Sequence, residues 1–352
     1  MVRIITVITI FISIASCKKL EENKPDVVER VAEAEGAFVV NEGTFGWNNA
    51  SLSYIQFETS TISNQVFEGK NQKPLGDVFQ SMLIYKELGF MAIDQADAIK
   101  VIDINTLTES AIITGLSSPR YMVVDEVNGV LWVTQYSEAN LVGLNLNTYE
   151  KVFEVDLPDY DIAGIPIRSG SDELVLWNNK LFVSNFRRPF VYQVNAINGV
   201  LEDSVRVGYG VHSMVIGNDD MLWVASSGDF NKNTPAQLTC INMETNTAVD
   251  STINTSAGYS NIVFSAKNES IYVLNSGVKE VWLMNNKIEE SIVVQANNGS
   301  FYGLNVNPNN GEIWLTNALD FQQQGEVYQY SATGDLLNTY IAGYAPNALV
   351  FY

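Results

Sequence analysis

The chain has one histidine, His212, and two cysteines, Cys17 and Cys240, in 352 residues. A single imidazole excludes metal centres built from several histidines and leaves a zinc hydrolase without its usual ligands. There is no Gly-x-Ser-x-Gly elbow, no phosphate-binding glycine loop and no Cys-x-x-Cys pair. Basic residues are scarce: 20 Lys and Arg face 40 Asp and Glu, for a net charge of −20. Nucleic-acid phosphates demand a basic face, so nucleic acid is not an expected partner, and neither is an anionic lipid surface. The acidic excess reads as a solubility feature. Carboxylates are numerous enough to leave a two-acid mechanism open, although nothing in the sequence brings two of them together. No stretch rich in Pro, Gly or Ser marks an internal linker, and no helical periodicity follows residue 36.

What the sequence does have is a repeated strand. Ala37-Phe38-Val39-Val40-Asn41 is followed by Phe90-Met91-Ala92-Ile93-Asp94, Leu131-Trp132-Val133-Thr134-Gln135 and Leu181-Phe182-Val183-Ser184-Asn185. Leu222-Trp223-Val224-Ala225-Ser226, Ile271-Tyr272-Val273-Leu274-Asn275 and Ile313-Trp314-Leu315-Thr316-Asn317 complete the series. Each has a large residue second, and the spacings are 53, 41, 50, 41, 49 and 42 residues. Strands recurring at a period in the forties are the mark of a β-propeller blade. Inner strands such as Met82-Leu83-Ile84 and Met122-Val123-Val124 precede six of these segments. Third strands such as Ile99-Lys100-Val101-Ile102 follow, then turns such as Asp103-Ile104-Asn105-Thr106, whose side chains bond nearby backbone. Outer strands such as Lys151-Val152-Phe153-Glu154-Val155 alternate as half-exposed edges do.

The first blade begins at Ala37 with no inner strand before it, and Pro346–Tyr352 has the pattern of the missing one. The expected fold is therefore all-β: a seven-bladed β-propeller over residues 36–352, its ring closed when the C-terminal strand completes the first blade.

The first sixteen residues read as a signal peptide, with Arg3 as the positive region and Ile4 to Ile14 as a core too short to span a membrane. Ile14-Ala15-Ser16-Cys17 resembles a bacterial lipobox, so cleavage before Cys17 and lipidation of its thiol are expected. Lys18-Lys19-Leu20-Glu21-Glu22 resembles the surface-export signal of Bacteroidetes lipoproteins. Residues 17–35 then form a lipidated tether, and the protein is expected on the outer membrane, anchored by lipid and exposed at the cell surface. Acylation of Cys17 leaves no disulfide to form, and Cys240 is expected inside a strand.

Propellers bind ligands at the mouth of the central channel, and the loops on that face are dense in aromatic and amide groups. A flat or amphipathic ligand suits such a rim. The candidate binding residues are Trp47, Tyr121, His212, Phe230 and Tyr302, with Phe45, Arg120 and Arg187 next. His212 is expected as a hydrogen-bonded rim residue and not as a metal ligand, and no cofactor is expected.

Asn41-Glu42-Gly43-Thr44-Phe45-Gly46, Asn49–Tyr54, Leu75-Gly76-Asp77, Gln80-Ser81-Met82 and Pro119-Arg120-Tyr121-Met122 together resemble the YncE-like propeller lipoproteins of Bacteroidetes. That group includes the BtuG-type corrinoid-capture and the xenosiderophore-binding lipoproteins, which work with TonB-dependent transporters of the outer membrane. The resemblance implies a non-catalytic protein that captures a scarce nutrient, a corrinoid first and a ferric siderophore second, for such a transporter. It carries no ligand contact over to individual residues. A lactonase-like propeller enzyme and an adhesive surface protein are the alternatives.

Overall fold

A computed structural model describes residues 36–158, 170–218, 220–229, 231–253, 260–295 and 301–352, without the side chains of 250–253. The signal peptide, the lipidation site at Cys17, the tether and Phe230 lie outside the described residues.

The described strands form seven four-stranded antiparallel sheets, the blades of a seven-bladed β-propeller. Blade 2 shows the common plan: Phe79–Tyr85 innermost, then Leu88–Ile93, Ala98–Asp103 and Glu109–Ile113 at the outer edge. Blades 3 to 7 repeat it, with inner strands beginning at Pro119, Ser171, Val211, Ile262 and Leu304. Blade 1 is assembled from both ends, since Pro346–Phe351 pairs antiparallel with Gly36–Asn41. The closure joins Val350 to Phe38 and Leu349 to Val39, and Gly36 and Tyr352 exchange backbone hydrogen bonds at 2.9 Å.

The large second-strand residues form the packing between blades. Trp132, Trp223, Trp314, Phe38, Phe90 and Phe182 are all buried, and full burial of such a side chain is worth about 3 kcal/mol. Trp132 stacks on Phe153 of its own blade's outer strand, ring centres 5.1 Å apart, and Trp314 stacks likewise on Tyr340. Cys240 is fully buried in the third strand of blade 5.

Two sequence expectations need correction. In blade 2 the repeat is offset by one residue. Phe90, opposite Leu83, occupies the place of Phe38, Trp132, Phe182, Trp223, Tyr272 and Trp314, and Met91 falls one position later. The strand ends at Ile93, and Asp94 opens a short 3-10 turn instead of ending the strand. Two adjacent bulky residues, Phe90 and Met91, leave the register ambiguous in sequence. The second correction is a helix, Val66–Asn71, where no helical period is visible. Six residues are too few to show one or to be stable alone. Tertiary contacts hold it: Phe67 is fully buried, and Asn71 donates to Leu107 O at 2.8 Å and accepts from Glu109 N at 2.9 Å. Among the described residues no helix is long and apolar enough to cross a membrane.

Candidate functional site at the channel mouth

Inner strands begin, and second strands end, at the same end of every blade. There the inner strands share a feature of register. Leu349, Met82, Met122, Leu174, Met214, Ile262 and Leu304 occupy equivalent positions, each paired with the residue after the large second-strand side chain. Two residues before each stands a polar side chain: Asn347, Gln80, Arg120, Asp172, His212, Ser260 and Tyr302, one from each blade. In blades 1 to 5 the pairing slips at or beside this residue, which is a β-bulge. Bulges re-aim side chains, and all seven polar residues line one cavity of about 310 Å³ at the axis of the ring.

A second cavity of about 510 Å³ lies against it, and both share Glu42, Arg120, Tyr136 and Tyr302. Phe45 and Phe321 form its apolar wall, while Asp94 and Gln95 contribute polar groups. The Asn41-Glu42-Gly43 sequence explains how Glu42 is presented. Asn41 is buried and clamped: its Nδ2 donates to Ser51 O at 3.1 Å and to Ser53 Oγ at 2.7 Å, and its Oδ1 accepts from Gly343 N at 3.0 Å. Gly43 has φ +85°, and a Cβ there would lie 2.6 Å from Ala50 N, so the chain can turn away only with glycine. Between clamp and turn, Glu42 extends over the channel and its Oε2 accepts from the Tyr302 hydroxyl at 2.6 Å.

Arg120 is the centre of the charged network. Its Nε donates to Asp172 Oδ1 at 3.1 Å, its Nη1 donates to Gln80 Oε1 at 2.6 Å, and Asp94 Oδ2 lies 3.5 Å from Nη1. The guanidinium carbon sits 5.1 Å from the Tyr136 ring centre and 6.0 Å from that of Tyr121. Gln80 also donates from Nε2 to the Tyr121 hydroxyl at 3.2 Å. Burial opposes the charge on Arg120, but Asp172, Tyr121 and Asp94 outweigh it and hold the group protonated.

Glu42, Asp172 and Glu173 are instead pushed towards their neutral forms. Burial raises the carboxyl of Glu42, against the Tyr302 hydrogen bond and Arg120. Burial also raises Asp172, opposed by Arg120, and raises Glu173 well above the usual carboxylate range, with Asp172 adding to the effect. The Tyr121 and Tyr302 hydroxyls are pushed up by burial, then by neighbouring carboxylates. His212 is held low, chiefly by burial with Arg120 assisting and Asp172 opposing, so its ring is neutral near pH 7. Its ring meets Phe186 edge-on, centres 5.5 Å apart. No group of three or more His, Cys, Asp or Glu among the described residues could hold a metal ion.

Of the residues singled out from sequence, Arg120, Tyr121, His212 and Tyr302 come together in the axial cavity, and Phe45 lines the mouth. Trp47 lies on the same loop but outside both cavities, 62% exposed. Arg187 lines a separate cavity of about 390 Å³, with Tyr209 and Lys232. The sequence candidates did not include Gln80, Asp172, Ser260 and Asn347 of the polar ring, nor Glu42, Asp94 and Tyr136 above it, although Glu42, Gln80 and Tyr136 lie in loops the sequence places on this face. The signal was present, since the ring residue always stands two before the apolar anchor of an inner strand.

Comparison with solved structures yields the fold. A quinonprotein alcohol dehydrogenase-like protein from Bacteroides thetaiotaomicron superposes with a TM-score of 0.66 at 15% identity, over 90% of this chain and 78% of that one. A protein from Lactobacillus plantarum gives 0.67 at 14% identity, over 91% and 99%. A catalytically inactive virginiamycin B lyase from Staphylococcus aureus, with quinupristin, gives 0.59 at 15% identity, over 81% and 93%. Comparison with curated proteins finds no match. A family model matches residues 35–351, nearly all of the propeller, and the chain belongs to that family, the domain of unknown function DUF5074.

Proposed function

We propose that this protein is a non-catalytic, lipid-anchored binding protein of the cell surface, allied to the YncE-like propeller lipoproteins. In this reading it captures a scarce nutrient at the channel mouth and passes it to a TonB-dependent transporter of the outer membrane. The observation that carries the reading is the ring of seven polar side chains, one per blade, opening into a mouth with an apolar wall. Polar groups converging under an apolar rim are what a small-molecule site needs. A corrinoid is the first candidate, because its flat ring is fringed with amides. A ferric siderophore is second, and the excess of carboxylates around Arg120 disfavours an anionic one.

An enzymatic reading has one observation on its side. Glu42, raised by burial and 2.6 Å from the Tyr302 hydroxyl, has the placement of a general acid–base. Native mass spectrometry of the purified protein with corrinoids, haem and ferric siderophores separates the two. Capture predicts a one-to-one complex from which the ligand is recovered with unchanged mass. A ligand recovered with altered mass favours the enzyme, and no complex with any of them removes these candidates.

A further inference from the structure

The junction of the two cavities carries a donor and an acceptor that the fold leaves open. Arg120 uses Nε on Asp172 and Nη1 on Gln80 and Asp94. Its Nη2 has no hydrogen-bond partner among the described residues and is not among the buried atoms, so it opens on the cavities that Arg120 lines. Glu42 stands in both cavities as well. Its Oε2 is engaged by Tyr302, while Oε1 has no partner among the described residues and is likewise not sealed off. The guanidinium's charge is already countered by Asp94 and Asp172, which are 4% and 3% exposed. An incoming anion therefore meets a donor without a net attractive field, and it meets Glu42 besides.

Resting on the reading that the mouth takes a ligand, we infer that this junction is a subsite for a neutral primary carboxamide. The carboxamide carbonyl accepts from Arg120 Nη2, and its N–H donates to Glu42 Oε1. A carboxylate of the same shape lacks the donor and adds a charge next to three acids. An amidinium lacks the acceptor that Nη2 requires and places a cation beside Arg120. The subsite thus reads hydrogen-bonding pattern as well as charge, which a merely acidic pocket does not.

The test uses three fragments of one shape, benzamide, benzoate and benzamidinium, each at about 10 mM, against the full chain in detergent. Side-chain N–H signals of 15N-labelled arginine are followed by NMR, with Arg120 identified from its absence in Arg120→Lys. Benzamide is expected to move the Arg120 signal in a saturable way, while benzoate and benzamidinium leave it in place. In Asp172→Asn, which removes one countercharge, benzoate is expected to bind about tenfold more tightly than to the wild type. Benzoate or benzamidinium matching benzamide on the wild type overturns the inference, as does the absence of any shift with benzamide. If Asp172→Asn does not fold, the wild-type comparison decides alone. Corrinoid binding that leaves Arg120 unmoved overturns the subsite only. Benzamide binding without corrinoid binding leaves the subsite standing and removes the corrinoid.

Discussion

Glu173 stands beside Asp172 on the inner strand of blade 4, and burial holds its carboxyl well above the usual carboxylate range. A carboxyl raised in the folded state binds its proton when the unfolded chain has already released it. Stability from this group is complete below the unfolded value and is lost as pH rises through the folded one. Glu173→Gln should therefore raise the melting temperature at about pH 8 and leave it nearly unchanged at about pH 4.5, where the native acid is already neutral. Thermal melts at the two pH values check this, and an unchanged pH slope would mean that Glu173 does not titrate in the fold. Residue identity was partly legible in the sequence. Aromatic and charged residues such as Tyr302 and Arg120 stand out against strand patterns, whereas Ser260 and Asn347 look like ordinary strand-start polar residues. Only their place two residues before the apolar anchor of an inner strand, Ile262 or Leu349, distinguishes them. Glu42 was visible as part of a motif, but its role depends on Tyr302, 260 positions away.

At the scale of elements, the closing strand was the most legible feature, because a missing inner strand and an unused C-terminal strand could be matched without coordinates. Deleting residues 347–352 exposes the flank of blade 1 and removes Leu349, which is 3% exposed, from the core. The loss should reach several kcal/mol, comparable to the stability of a domain. A truncated protein that melts within a degree or two of the full chain would contradict the pairing. Blade 7 meets this strand where Gly303 approaches Asn347, and a Cβ on Gly303 would lie 1.8 Å from the Asn347 carbonyl oxygen. Gly303→Ala should consequently destabilise the fold by overpacking, by about 2 kcal/mol, and lower the melting temperature. The helix Val66–Asn71 was not legible, since long-range contacts and not its own sequence hold it. Blade 2 was placed one residue out because Phe90 and Met91 are both bulky, and only the pairing of Leu83 opposite Phe90 fixes the register.

The whole molecule joins an acidic propeller to an N-terminal segment that resembles a lipoprotein signal. Metabolic labelling with a fatty-acid analogue should mark the wild-type protein and not Cys17→Ala, and an unlabelled wild type would remove the lipid anchor from the account. The fold was legible at this scale because seven repeats of one pattern reinforce each other. The ligand was not, because the cavities arise from side chains contributed by all seven blades. The claim that joins these observations is that the channel mouth binds a nutrient, and calorimetry with cobalamin and a ferric catecholate tests it most directly. Cobalamin should bind the wild type. Tyr302→Ala should weaken that binding by about thirtyfold, the effect of losing roughly 2 kcal/mol at a buried aromatic. Lys151→Ala, on the outer strand of blade 3, should leave it unchanged. Absence of heat with either ligand at concentrations of about 50 μM, tight enough to register useful capture, would contradict the candidates. Cobalamin binding that survives Tyr302→Ala intact would contradict the channel mouth as the site.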